Sequence, residues 1–424
     1  MNENDKYENK ETENTEPEKI NFSESEIGGM SGEGFSDQNA KGDTSNQSNS
    51  GGQSWGANPY SKYRGANNQS FEGQNPYSSY HRNGQNAATR DEPLSVVDFD
   101  ASGAKRNFTV IGAGFALFIL ISTVVSLIIQ LVGMSINESL ISNIWFVNLI
   151  TPVALYLFAL PILLILLSKV PETSFEGKRM RIGEWIVYFL IGFGLMYIGS
   201  FISEYVMSYL SQLTGKDYSN ALNDLIDFNN LGNLWITALF TVIIAPIGEE
   251  FVFRKLIIDR TRKYGAVVSI VLSALMFGLM HGNFYQFFYA FLLGLVLGYM
   301  YYTTGKLLPV ISMHAAINFF GSVVTVLLSH GLDLEALESA DMAESIAFIA
   351  EHGVQFMFLM IFTLFAYACM ACAVIIPIVS RKKIVLERGE MPIPRAYLGG
   401  VLIVNAGMII MWVVFAIQFA LSLI

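Results

Sequence analysis

The chain is short of the residues that would support redox chemistry or a water-soluble fold. Only two of its 424 residues are Cys, Cys369 and Cys372, and both sit inside an apolar run. They imply no disulfide framework, and in an apolar helix they read as small packing residues rather than a redox pair. Charged residues make up 15% of the chain against 52% hydrophobic ones, and the mean hydropathy of +0.42 lies outside the usual range for a soluble enzyme of this length. Histidine is scarce too, with five in all. The formal charge of −10 belongs mostly to residues 1–106, where ten Lys and Arg face seventeen Asp and Glu. Charge therefore says little about the remainder, and nothing points to a nucleic-acid partner.

Residues 1–106 lack aliphatics and are rich in Asn, Ser, Gly, Gln and Glu. Such a segment cannot bury enough apolar surface to offset chain entropy, so it is expected to be a disordered tail. No apolar h-region lies near Met1, which leaves the first spanning helix to act as the membrane signal. The repeated Asn58-Pro59-Tyr60 and Asn75-Pro76-Tyr77 reads as low-complexity drift.

From Phe108 onward the sequence is a series of apolar runs, nine by the length needed to cross a bilayer core, at about 108–134, 143–168, 185–213, 232–258, 265–281, 284–304, 307–330, 353–380 and 398–424. The expected fold is all-α, a polytopic transmembrane bundle of about eight or nine spans, because lipid offers no partners to unpaired backbone groups. Its parts are expected to be N-terminal helices over 107–230, a core over 231–330, and an acidic external loop with the last helices over 331–424. Basic residues gather in alternate loops, as in Lys105-Arg106, Lys178 to Arg181, Arg260 to Lys263 and Arg381 to Lys383, whereas Asp333 to Glu351 carries only acids. The positive-inside rule then puts the tail in the cytoplasm of a plasma-membrane protein.

Ionisable groups inside these runs are costly, at about 2.5–3.5 kcal/mol each near mid-bilayer on insertion scales. The run 232–258 nevertheless contains Pro246, Gly248, Glu249, Glu250 and Arg254. Glu250 and Arg254 are one turn apart with the acid N-terminal, the favourable order for an ion pair. Glu249 is rotated by about 100° and lacks that partner. Glu250 and Arg254 are thus assigned to structure and Glu249 to chemistry, while Pro246 is expected to disturb the helix and free nearby carbonyls. Two later runs carry Phe277 with His281 and His314 with Asn318, again one turn apart on one face.

These three sets, in this order and on membrane helices, resemble the motifs of the CAAX protease and bacteriocin-processing (Abi) family, intramembrane endopeptidases related to the type II CAAX prenyl protease. The resemblance covers about residues 230–330. It implies a peptidase acting on a membrane-embedded, prenylated or otherwise lipid-anchored peptide, with Glu249, His281, His314 and Asn318 catalytic and Glu250, Arg254 and Phe277 in support. The residues themselves allow that chemistry. Glu249 and His281 can activate a water, and His314 and Asn318 can donate to an oxyanion.

A metal site is the competing mechanism, since Glu249, His281 and His314 are ligand types of a catalytic zinc or other divalent ion, and family members are often called metalloproteases. Asn is a poor zinc ligand, and the local His spacing of zinc helices is absent, so no cofactor is required on the favoured reading. The alternative of another class is a non-enzymatic immunity or scaffold protein of the same fold that only binds a peptide. A transporter would call for paired broken helices in two halves, and no such repeat is seen. Glu249 and His281 can meet only if the chain turns near Gly265, equidistant from both in sequence. The basic end of the fourth helix is then expected to protrude into the cytoplasm, and Gly282-Asn283 to turn inside the protein.

Overall fold

A computed structural model of the chain describes residues 99–424 apart from 174, 217, 219–230, 333–336, 338–339 and 424. The expected tail lies outside the described residues up to residue 98, but its last part is not tail, since a helix starts at Ala101. Three of the six acids in the expected external loop, Asp333, Glu335 and Glu338, also lie outside the described residues. The described residues contain helices and no strand, in a polytopic bundle. Seven helices are long and apolar enough to cross a membrane: α1 (Ala101–Ile136), α2 (Ile144–Leu167), α3 (Ile182–Thr214), α4 (Leu234–Tyr264), α6 (Phe284–Thr304), α7 (Leu307–Ser329) and α8 (Met342–Val379). Between α4 and α6 lies the shorter α5 (Ala266–Met280), and α8 is followed by α9 (Arg395–Ile403) and α10 (Ala406–Leu421), a pair bent by 58° as in a broken span or a re-entrant loop.

Three expected boundaries change. The run 265–281 forms a helix of only 15 residues, about 22 Å at 1.5 Å per residue, because Gly265 and Gly282, both at positive φ, cut it at either end. The eighth run, expected from 353, is preceded by a helical stretch from Met342 that joins it across a kink at His352, so part of the expected acidic loop is helical. Asp341 caps it there by accepting from the Glu344 backbone N–H at 2.9 Å, and the Glu344 carboxylate accepts in return from the Asp341 N–H at 3.1 Å. The last run is broken, since Asn405 caps a new helix by accepting from Met408 N–H at 3.0 Å.

The loops rich in Lys and Arg gather at one end of the bundle, around the α4–α5 turn. Arg260 donates to Leu167 O at 2.9 Å and pairs with Glu172 at 2.7 Å. Arg262 donates to Tyr302 O at 2.6 Å while its guanidinium lies between the Phe175 and Tyr302 rings, 3.6 and 3.9 Å from their centroids. The loop after α8 joins them, with Met391 N–H donating to Lys263 O and Ala266 N–H to Glu387 O. The end of α4 is wrapped by protein, and Asp259, Arg260 and Arg262 are all buried. Its charges are satisfied by carbonyls, carboxylates and rings rather than by water.

Small residues set how closely the inner helices approach. A Cβ on Gly199 of α3 would overlap the backbone of Tyr289 in α6, and one on Gly194 would overlap the backbone of Cys369 in α8. Cys369 is buried at this crossing and both cysteines are free thiols, in keeping with a packing role. Close backbone approach is how helices associate in lipid, where burial of apolar surface gives little driving force. The outer faces remain apolar, as Phe358, Ile361 and Leu364 of α8 show.

Candidate active site

The middle of α4 is not a regular α-helix. Residues Leu239–Ile244 and Phe251–Ile258 are wound as π-helix on either side of the α-helical Ala245–Glu250. In the first π segment the N–H of Ala245 bonds back five residues to Phe240 O. The next bond in that ladder would run from residue 246 to Thr241 O, but Pro246 has no N–H. The freed Thr241 carbonyl accepts from Asn318 Nδ2 of α7 at 2.8 Å. The expected effect of Pro246 is thus realised as a specific interhelical bond, which ties α7 to α4 one turn beyond His314.

Glu250 faces into the protein and is fully buried, as is Arg254. Arg254 Nε lies 2.8 Å from Glu250 Oε2, and Nη1 donates to Ser273 Oγ of α5 at 2.9 Å. Ser273 in turn donates to Phe253 O at 2.8 Å. Glu250 also accepts on Oε1 from His314 Nδ1 at 2.9 Å. The sequence gave no hint of this last contact, because 64 positions separate the two residues. It fixes the ring: with Nδ1 donating to a carboxylate, Nε2 is left to face the other glutamate, and it lies 3.7 Å from Glu249 Oε2.

Phe277 joins this group to the third motif. Its buried ring meets His314 edge-on at a centroid distance of 5.6 Å and His281 at 5.2 Å, with the Arg254 guanidinium 5.0 Å away. His281 follows the last residue of α5, and its Nδ1 lies 2.9 Å from Phe277 O. A carbonyl only accepts, so Nδ1 carries the proton and the neutral ring keeps a free lone pair on Nε2. The turn that follows is braced by Asn283, which donates to His281 O at 2.8 Å and caps α6 through Gln286 N–H at 2.9 Å. Gly282 is buried in that turn at a φ of +70°, so the chain does reverse inside the protein.

All seven residues singled out in the sequence therefore lie on α4, α7, the last turns of α5 and the α5–α6 turn, and they are linked through His314, Phe277 and Thr241. Two site residues were missed. The Tyr156 ring of α2 rests against Gly248, beside Glu249, and the Tyr289 ring of α6 lies 6.4 Å from that of His281. Both are Tyr in aromatic-rich apolar runs with no distinctive spacing, so no sequence signal separates them from the other tyrosines.

A model of the family described as type II CAAX prenyl endopeptidase, Rce1-like, matches residues 231–320. That stretch is Rce1-like. It begins just before α4, ends just after Asn318, and so contains every residue of the three motifs. The similarity agrees with the resemblance carried by the motifs, and the helices outside this stretch lie outside the family match. No curated protein and no solved structure matches the chain.

Among the described residues no three His, Cys, Asp or Glu converge as a metal site. Glu249 and His314 approach one another at 3.7 Å, Glu250 holds Nδ1 of His314, and the Phe277 ring meets both histidines.

Proposed function

We propose that the chain is an intramembrane endopeptidase that hydrolyses a peptide bond of a membrane-embedded or lipid-anchored substrate, with prenylated CAAX-type peptides as the first class to test. The observation that carries this reading is His314, seated with Nδ1 on Glu250 and Nε2 towards Glu249 and joined through the Phe277 ring to His281. The Rce1-like match to the same stretch supports the reaction class.

Glu249 is the general base, being the carboxylate of the pair that Arg254 does not hold. His281, with its bare Nε2, accepts the second hydrogen of the attacking water. One proton passes to Glu249 as the water oxygen bonds to the substrate carbonyl carbon. The oxyanion accepts from Nε2–H of a protonated His314 and from the Asn318 N–H that Thr241 leaves free. A cationic His314 is balanced by its place between two carboxylates, and Glu250 with Arg254 fixes it there. Glu249 then returns its proton to the leaving nitrogen as the C–N bond breaks. No metal enters these steps.

The loops rich in Lys and Arg, gathered at one end, support a reading in which that end faces the cytoplasm. The deciding experiment uses purified full-length protein in lipid vesicles with a prenylated CAAX reporter peptide. Glu249→Gln is expected to abolish cleavage while leaving the melting curve unchanged, and chelators are expected to leave the wild-type rate unchanged. Cleavage retained by Glu249→Gln overturns the assignment.

A further inference from the structure

The mechanism above leaves one polar group beside Glu249 without a task. Tyr156 belongs to a π-helical segment of α2, Val153–Ala159, that lies between Pro152 and Pro161. Its ring rests on Gly248, the residue just before Glu249. A Cβ on Gly248 would overlap both the ring and its hydroxyl oxygen. Gly248 thus provides the space in which this phenol sits, and the exposed neighbours Leu157 and Phe158 show that the adjoining face of α2 points away from the protein. A Tyr used only to fill lipid-facing volume would not require a glycine opposite its hydroxyl. Hydroxyls left in an apolar setting need a partner, and the Glu249 charge acts on this one. Tyr289 also senses that charge, but it is packed beside His281 on the α6 side.

We propose that Tyr156 is a positioning residue for Glu249, its hydroxyl donating across one water to the Glu249 carboxylate from the α2 side, with Gly248 as the space that admits it. The water so held is the one that Glu249 deprotonates, so the phenol fixes its orientation without itself exchanging a proton. Helix α2 lies outside the stretch matched by the family model, which makes this a contribution of the N-terminal helices to the site.

This inference rests on the peptidase reading for its kinetic consequence, and its test therefore includes a readout independent of cleavage. Infrared difference spectra across a pH titration of full-length protein in vesicles contain a carboxyl band that Glu249→Gln removes. Tyr156→Phe, which keeps the ring, is expected to move that band, to lower kcat on the reporter peptide by roughly 10- to 100-fold and to leave KM within about twofold. Gly248→Ala is expected to lower kcat in the native chain and to add nothing further in a Tyr156→Ala background, because the two changes remove one arrangement. An unmoved band with Tyr156→Phe overturns the inference, as does a moved band with unchanged kcat. A wild-type protein that cleaves nothing but whose band moves with Tyr156→Phe overturns the peptidase reading and leaves the Tyr156–Glu249 contact standing.

Discussion

Helices α6 and α8 both qualify as spans, yet they use their residues in opposite ways. In the most apolar eighteen-residue window of α6, 44% of residues are buried, against 17% in α8, although α8 is the more apolar of the two. Lipid is itself an apolar solvent, so apolar character alone does not draw a helix inward. What places α6 at the centre is its fit: Gly294 and Gly298 lie against Ala274 and Ile270 of α5, and Tyr289 lies against Gly199 of α3. The same contrast holds for charge. Arg254 is acceptable at the heart of the protein because Glu250 and Ser273 meet it, whereas α8 carries no Lys or Arg from Met342 to Val379.

That contrast can be broken by substitution, beginning where the change should be largest. Arg254→Leu strands a buried carboxylate and is expected to destabilise the protein by about 3–5 kcal/mol, seen as a large drop in the thermal midpoint in detergent. Gly199→Val forces α3 away from Tyr289 and should cost about 1–3 kcal/mol in the same assay, with a parallel loss of cleavage because the Tyr289 ring packs beside His281. Asn318→Ala leaves the Thr241 carbonyl without its donor; interhelical hydrogen bonds in membranes contribute about 0.6 kcal/mol on average and at most about 1.7. The reporter peptide should register that change more strongly than the melting curve, since Asn318 also serves the oxyanion. At the far end of the range, Phe358→Ala on the lipid-facing side of α8 should fall within about 0.5 kcal/mol of the native chain. A large effect there would show that this exposed face is covered by a partner.

The span pattern was legible because bilayer thickness imposes a length on each apolar run, and the expected and observed limits of α2, α3, α6 and α7 agree to within a few residues. Run length failed where caps and turns decide. Asp341 with Glu344 extended α8 into a polar loop, and Gly265 with Gly282 shortened α5. The candidate site was legible as a cost: two carboxylates, an Arg and two His in apolar runs demanded partners. Helical spacing separated the face of Glu250 from that of Glu249, and it predicted the Glu250–Arg254 pair. It gave no access to Tyr156, since one Tyr in an apolar run carries no periodic signature and its neighbour Gly248 is 92 positions away.

The sequence by itself determined that this is a helical membrane protein, that its basic loops alternate, that Gly265 must turn the chain for Glu249 and His281 to share a level, and that Pro246 must free a carbonyl. Each follows from a local rule of length, charge, spacing or backbone valence. Only the tertiary structure decided that Asn318 takes that carbonyl, that Glu250 holds His314 as well as Arg254, that Phe277 joins the two histidines, and that protein wraps the end of α4. Those contacts join residues tens of positions apart. They depend on how helices cross, which is set by the shape of small and large side chains meeting in three dimensions and leaves no period in the chain.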